Sequence, residues 1–168
     1  MGRRDVHTGT PTPSPAHGAL ADQLAAVAAA RLLDPLEILL DGDASVERVR
    51  ARVAAAAGEW AAALLGADDR AAVHAVARII AALYPGDTAF DPPAEWWATP
   101  LGRTVARRAG HPGAVRVSYA VAGAMLGITR QGVHDLVRRG KLAAHPDGGV
   151  HTGSVRARLN GYPARADT

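Results

Sequence analysis

The chain has 168 residues, 48% of them hydrophobic, which is enough to bury the core of one domain or of two small ones. It has no cysteine, so disulfides and thiolate metal sites are excluded, and no apolar run approaches the length of a membrane span. The net charge of +3 conceals an asymmetry. Residues 1–98 carry eight arginines against thirteen carboxylates, whereas residues 99–168 carry eleven basic residues against three carboxylates. An acidic half beside a basic half favours a polyanion as the partner of the basic half.

Residues 1–18 are predicted to form a disordered N-terminal arm, because prolines lie among small polar residues there. Arg3 and Arg4 are not followed by an apolar core, so the arm does not look like a signal peptide. These features predict a cytoplasmic, nucleoid-associated protein with no membrane partner.

Residues 19–84 are predicted to form a helical domain. Its first helix covers residues 19–33 and should be interrupted at Asp34-Pro35, because the residue before a proline disfavours the α conformation. A short apolar turn over residues 36–40 and a polar loop are expected to follow.

Two longer helices are predicted after this loop. Ser45 is the expected N-cap of a helix that ends near Leu65, and the next helix begins at Asp68 or Asp69 and ends near Leu83. The short connection predicts an antiparallel helical hairpin. Apolar residues recur at helical spacing on both helices and form the stripes Val46, Val49, Val53, Ala56, Trp60 and Ala63, then Val73, Val76, Ile80 and Leu83.

The stripes have two possible partners: the other helices of the same chain, or a second subunit. A helical domain this small buries its apolar surface poorly, which favours a homodimer formed through the N-terminal helices. A different protein partner is a further possibility for the same surfaces.

Residues 85–98 are predicted to be a linker that contains Trp96 and Trp97. Adjacent tryptophans cannot both face one core from one short element, so one is expected to pack between the two halves and the other to reach a partner surface.

Thr99 and Pro100 predict the cap and first residue of a basic helix over residues 101–109, which Gly110 should end. Arg103 and Arg107 are four residues apart and therefore share a face of this helix. That face either follows a phosphate backbone or is simply solvated.

Two short helices around a tight turn are predicted in the basic half. Ser118 should cap the first helix, Gly127 should end it, and Thr129 should cap a second helix that reaches Arg139 and stops at Gly140. The predicted buried positions are Val121, Ala122, Met125 and Leu126 on the first helix, Ile128 in the turn, and Val133, Leu136 and Val137 on the second.

This segment resembles the winged helix-turn-helix family of phage excisionases and MerR-type regulators. The matching residues are Ala122, the run from Leu126 to Gln131, Val133, and the run from Leu136 to Leu142. Three positions depart from the family: Val121 stands where Glu is frequent, Gly123 where Ala is, and Gly132 where Thr is. Each glycine should weaken its helix by up to ~1 kcal/mol relative to alanine.

The resemblance implies a mainly α fold, with an N-terminal helical bundle or hairpin and a C-terminal winged helix-turn-helix. The basic DNA-binding domain would cover residues 99–168, with the helix-turn-helix at 117–142 and a small β-hairpin wing at 142–152. The wing is expected to pair residues 142–145 with residues 150–152 around the turn 146–149. Ser154 is then the expected cap of a last short helix.

A short helix fits the major groove of DNA, where arginine and glutamine recognise guanine and adenine with paired hydrogen bonds. The polar face of the second helix therefore supplies the predicted base contacts, Arg130, Gln131 and His134. Other groups are better placed for the phosphates, which position a protein without reading sequence. The predicted phosphate contacts are Tyr119, Thr129, Arg138, Arg139, Lys141, Arg103, Arg107, Arg156 and Arg158.

The leading interpretation is a sequence-specific binder of double-stranded DNA, a bacterial or phage transcriptional regulator or repressor. The alternatives are an excisionase-like architectural factor that bends DNA and an antitoxin-type interaction protein. The chain shows no catalytic triad, paired carboxylates, phosphate loop or metal cluster, so we expect no enzyme activity, no cofactor and no metal.

Overall fold

The structure, a computed structural model, describes residues 14–86 and 88–161. It is mainly helical, with 69% of it in helices and a small two-stranded antiparallel sheet. The predicted mainly α fold class is confirmed. In the described part of the chain, no helix is both long enough and apolar enough to cross a membrane.

The first helical segment is continuous from residue 15 to residue 39. Helix α1 spans Pro15–Ala28, a π-helical turn spans Ala29–Leu33, and α2 spans Asp34–Leu39. The predicted interruption at Asp34-Pro35 is wrong, because the proline occupies the first turn of α2, where its missing N–H is tolerated.

Ser14 caps α1, and its hydroxyl oxygen accepts a hydrogen bond from the His17 backbone amide at 3.2 Å. The last residues of the predicted arm are therefore helical. The rest of the predicted arm, residues 1–13, lies outside the described residues.

Helices α3, Ala44–Leu65, and α4, Asp69–Leu83, pack against each other as the hairpin pattern predicted. Asp43 caps α3, so the expected Ser45 cap is wrong: the Asp43 carboxylate accepts hydrogen bonds from the Ser45 amide and hydroxyl. These bonds stabilise the charged carboxylate and lower the pKa of Asp43. Asp68 caps α4, as expected.

The predicted apolar stripes are confirmed at Val46 on α3 and at Val76, Ile80 and Leu83 on α4, while the C-terminal half of the α3 stripe is displaced by one residue. Val49 and Val73 are exposed, and the buried residues are Val46, Ala57, Ala61 and Leu64 on α3 and Ala72, Val76, Ile79, Ile80 and Leu83 on α4. The reason is that α1 packs along α3, and its Leu20 and Leu24 need small side chains opposite them. The buried faces of α3 and α4 are thus used inside the chain.

Helix α5, Ala94–Trp97, lies within the segment predicted to be a linker. Trp97 is fully buried, as expected for one of the two tryptophans. Trp96 is half-buried, and its indole N–H donates to the Tyr84 hydroxyl at 2.8 Å. Phe90 packs edge-on against Tyr84 and both tryptophans. This aromatic cluster ties the segment to the core.

Helix α6, Pro100–Ala109, is capped by Thr99 and ends at Gly110, as predicted. It packs chiefly against α1, α4, α5 and the last helix, so it lies at the centre of the buried cluster. The Gln23 side chain on α1 accepts a hydrogen bond from the Leu101 amide at 2.7 Å. The helix packing of α6 and this hydrogen bond both join residues far apart in the chain, so neither can be predicted from a local sequence pattern.

The C-terminal part contains β1, Arg116–Val117; α7, Tyr119–Leu126; α8, Arg130–Arg138; β2, Val150–His151; and α9, Thr152–Leu159. β1 pairs antiparallel with β2, with Arg116 opposite His151 and Val117 opposite Val150. The main partner of β2 is thus β1, which precedes α7 and was not part of the predicted pairing of residues 142–145 with residues 150–152. That predicted pairing is reduced to a single bridge between Ala144 and Val150.

Helix α9 begins at Thr152, so the expected Ser154 cap is wrong. The Ser154 hydroxyl instead accepts a hydrogen bond from the Ala143 amide at 2.9 Å. The Thr152 hydroxyl donates to the carbonyl oxygens of Ala114 and Val115, at 3.0 and 3.1 Å. These buried hydroxyls hold the strands and α9 together.

Candidate nucleic-acid interface

The turn between α7 and α8 is set by two glycines. Gly127 has a φ of 69° in the left-handed region, and its amide donates to the Ala124 carbonyl at 3.4 Å. The next amide, of Ile128, donates to the Gly123 carbonyl at 2.9 Å. These two bonds form a Schellman motif, which ends α7 sharply and directs the chain into α8.

Gly123 allows this turn to approach α7 closely. A Cβ at Gly123 would lie 2.8 Å from the Ile128 carbonyl oxygen, which is closer than real Cβ atoms come to backbone. Glycine at position 123 therefore fits the tight packing of the turn. Gly132 differs, because a Cβ there would make only ordinary contacts, the nearest at 3.5 Å.

Helix α8 begins as predicted. The Thr129 hydroxyl accepts a hydrogen bond from the Gly132 amide at 3.1 Å, and the Ser118 hydroxyl caps α7 in the same way. Val133 is fully buried against α7, while Leu136 and Val137 are half-buried. The expectation that Ile128 is buried is wrong: it is 39% exposed, and its side chain lies beside Gly132 at the start of α8.

The predicted base contacts Arg130, Gln131 and His134 are all exposed on α8. Gln131 donates to the Asp135 carboxylate at 3.5 Å, the upper limit for a hydrogen bond. The His134 ring lies edge-on to Tyr119 of α7, with 6.0 Å between ring centroids. Gln131 and His134 lie on the side of α8 that is turned away from Val133, whereas Arg130 lies nearer the Val133 side and is exposed as the first residue of the helix.

The predicted phosphate contacts fall into two groups. The first group lies around α7 and α8. Its exposed cations are at the end of α8: Arg138, Arg139 and Lys141. Tyr119 is the first residue of α7, and Thr129 is the N-cap of α8. Arg138 lies 3.8 Å from Asp135, so this one carboxylate is shared with Gln131.

The second group lies on α6 and α9. Arg103 and Arg107 on α6 and Arg158 on α9 are exposed, but α8 packs chiefly on α7 and not on these two helices. Arg156 is only partly exposed, and its guanidinium lies 3.3 Å from the Asp69 carboxylate of α4. Its role in the free protein is to join α9 to α4.

Sequence reasoning did not select Arg116 or Arg108. Arg116 is exposed on β1, and its guanidinium donates to the Gly148 carbonyl in the hairpin turn at 3.3 Å. A basic residue two positions before the Ser118 cap is a signal that could have identified it. Arg108 binds the carbonyl oxygens of Leu64 and Gly66 at 2.9 and 2.7 Å, a contact that only the tertiary fold brings about.

Residues 143–151, between α8 and α9, form a hairpin in which the chain folds back on itself. The His145 amide donates to the Gly149 carbonyl, and the His151 amide donates to the Ala143 carbonyl, both at 3.0 Å. His145 and His151 face each other with 4.6 Å between ring centroids. Among the residues that the structure describes, no cluster of three or more metal-binding side chains exists.

A cleft of about 520 Å³ lies between the aromatic segment and the start of α7. Phe90, Pro93 and Val121 line it together with Arg116 and the buried His111. The His111 Nδ1 accepts a hydrogen bond from the Gly113 amide at 3.2 Å, which leaves the proton on Nε2. Burial lowers the pKa of His111, and the carboxylate of Asp91 opposes this shift from 3.9 Å.

No protein-family model matches the chain, and comparisons with curated proteins and with solved structures find no significant similarity.

Proposed function

We propose that the chain is a sequence-specific DNA-binding protein, in which α7, α8 and the hairpin of residues 143–151 act as a winged helix-turn-helix. The observation that carries this proposal is α8 itself. It is a short capped helix whose apolar side rests on α7 through Val133, while Arg130 at its first residue and Gln131 and His134 on its polar side are exposed to solvent. Such a helix can enter the major groove with its first residues against the bases.

The rigidity of α8 supports recognition of bases. The Thr129 cap and the Schellman turn hold the start of the helix, and a second turn of the same kind ends it at Gly140, where the Lys141 amide donates to the Leu136 carbonyl at 2.8 Å. Base-contacting side chains are specific only when the backbone that carries them is held in place.

Charge supports a polyanion as the ligand of this face. Residues 130–141 contain Arg130, Arg138, Arg139 and Lys141 against the single carboxylate of Asp135. The four cations are exposed, so they cost little to bring to a phosphate backbone and would release condensed counterions on binding. A transcriptional regulator or repressor is the function that fits a small protein with this site.

The direct test is selection of bound sequences from a random double-stranded DNA library, followed by measurement of affinity for the selected site. Arg130→Ala and Gln131→Ala should each relax the preference at one base pair and weaken specific binding by about 1–3 kcal/mol. Arg78→Ala, which removes an exposed arginine from α4, is the matched control and should leave binding unchanged. If no sequence is enriched at moderate salt, the proposal is wrong.

The phosphate contacts have a separate readout. Arg139→Ala should weaken binding to all sequences alike and reduce the slope of log affinity against log salt by about 0.9. Asp135→Ala should strengthen binding, because it removes a negative charge near the phosphates and releases Gln131 and Arg138. Equal salt slopes for wild type and Arg139→Ala would show that this residue does not contact a phosphate.

A further inference from the structure

We propose that the cleft between the aromatic segment and the start of α7 binds a small neutral aromatic molecule that carries a hydroxyl group, such as a phenol. Its volume of about 520 Å³ lies within the range of cavities that hold small ligands. The lining residues come from 89–93 and 111–121, all of which precede α8, so the cleft is separate from the proposed base contacts. Two features of its wall specify the ligand: a buried imidazole and the apolar surface beside it.

The buried imidazole belongs to His111, whose side chain is 1% exposed. Its Nδ1 accepts the hydrogen bond of the Gly113 amide, so the proton is on Nε2. Among the residues that the structure describes, this N–H has no hydrogen-bond acceptor, because the Asp91 carboxylate lies 3.9 Å away. A buried donor without an acceptor is costly, and a bound molecule that accepts from Nε2 would remove that cost.

The gap between His111 and Asp91 fits a bridging hydroxyl. The Nε2 and Oδ1 atoms are too far apart to bond directly, but an oxygen about 2.8 Å from each of them would accept from His111 and donate to Asp91. A hydroxyl can do both, since it has one donor hydrogen and two lone pairs. The bond to the carboxylate is charge-assisted, and a phenol donates it more strongly than an aliphatic alcohol because its O–H is more acidic.

The same two groups select against charged ligands. A carboxylate at this position would be repelled by Asp91, and an ammonium group has no lone pair to accept from Nε2. Arg116 also lines the cleft, but its guanidinium donates to the Gly148 carbonyl at 3.3 Å. A neutral hydroxyl is therefore the group that fits both His111 and Asp91.

The rest of the wall matches an aromatic ring. Phe90, Pro92 and Val121 line the cleft and are only half-buried, so a bound ring would remove apolar surface from water. Phe90 already packs edge-on against Trp96, with 5.2 Å between ring centroids, and a ligand ring can pack on it in a similar way. A water molecule forms the same two hydrogen bonds but gains nothing from these side chains, which favours an aromatic occupant.

Amide NMR spectra of the isotope-labelled full chain test this proposal without DNA, so the result does not depend on the proposed DNA binding. The probe is 4-methylphenol, which should shift the amides around the cleft, such as those of Gly113 and Ser118, with a dissociation constant of about 1 mM or lower. Toluene lacks the hydroxyl, and 4-methylbenzoate has a carboxylate in its place. Each should bind at least about tenfold more weakly.

Two variants separate the hydroxyl bridge from the apolar wall. Asp91→Ala and His111→Phe should each weaken binding of 4-methylphenol about tenfold and leave toluene binding unchanged, because toluene contacts only the apolar side chains. The Asp91 side chain is 86% exposed, so Asp91→Ala should fold normally even if His111→Phe does not. Asp147→Ala is the matched control: its carboxylate is 79% exposed and lies 3.8 Å from a histidine, His145, but outside the cleft.

Several outcomes would overturn the proposal. One is the absence of any saturable shift around the cleft at up to about 10 mM 4-methylphenol. Equal affinity for toluene would show that the hydroxyl is not recognised, and tighter binding of 4-methylbenzoate would make the cleft an anion site at Arg116. Unchanged binding of 4-methylphenol by Asp91→Ala would refute the bridge to His111.

Discussion

A single added methyl group should have opposite effects at the two glycines of the α7 and α8 unit. Alanine is preferred to glycine in a helix by up to ~1 kcal/mol, so Gly132→Ala should stabilise the protein by about 0.5–1 kcal/mol. Its new Cβ would contact the Ile128 and Thr129 side chains at 3.5 Å, which is ordinary van der Waals distance. The same intrinsic gain applies to Gly123→Ala.

At Gly123 the tertiary contact outweighs this gain. The added Cβ would lie 2.8 Å from the Ile128 carbonyl oxygen, a backbone atom that cannot move without opening the Schellman turn. Overpacking of this kind costs about 1–3 kcal/mol. After the helix-propensity gain is subtracted, Gly123→Ala should destabilise the protein by up to about 2 kcal/mol. The two variants should therefore differ by roughly 1–3 kcal/mol in their free energy of unfolding.

Urea unfolding followed by circular dichroism measures this difference, provided that the slope m is the same for both variants. Their midpoints of thermal unfolding should also differ, with Gly132→Ala unfolding several degrees above Gly123→Ala. Equal or reversed stabilities would refute the close approach of the turn to α7. DNA affinity adds a second readout, since only Gly123→Ala should displace α8 from its position on α7.

Three further results are expected. Arg108→Met should lower the free energy of unfolding by about 2–3 kcal/mol, because two carbonyl oxygens at the end of α3 lose their hydrogen-bond donor. Arg107→Ala, at the neighbouring exposed position, is the control and should change it by less than about 0.5 kcal/mol in the same chemical unfolding experiment. Burial places the pKa of His111 in the folded protein below its pKa in the unfolded chain, so the stability that the neutral ring allows is lost as the pH falls below the unfolded pKa. His111→Gln should therefore flatten the dependence of the free energy of unfolding on pH between about pH 7 and 5. Parallel curves for the variant and wild type would contradict this reasoning. Gly102→Ala should yield little folded protein, because its Cβ would overlap the Trp96 carbonyl oxygen, and a soluble variant with wild-type unfolding would disprove that contact.

Much of the candidate site follows from local chemistry. Ser118 and Thr129 cap helices because their hydroxyl oxygens can accept a nearby amide hydrogen whatever the rest of the chain does. Gly127 ends α7 because a left-handed conformation is cheap only without a Cβ. The exposure of Gln131 and His134 could likewise be predicted, since burial of Val133 turns both toward solvent, and Arg130 is exposed as the first residue of α8.

Other features were beyond a reading of local pattern because they depend on residues far apart in the chain. The Asp43 carboxylate caps α3 in place of Ser45, and Val49 is exposed because α1 packs on other residues of α3. The strand partner of β2 precedes α7, where two residues are too few to give a strand signal.

The sequence by itself therefore determined most of the helices, most of their caps and the chemical identity of the α8 face, since these depend on contacts within about four residues. The tertiary structure alone decided what each surface faces. It assigned Arg108 and Arg156 to contacts with the N-terminal helices, made Gly123 a point of close packing, and left the leucines of α2 exposed while the carboxylates of that helix bind Arg50. A periodic pattern specifies which side of a helix is apolar, but only the packed fold specifies what that side meets.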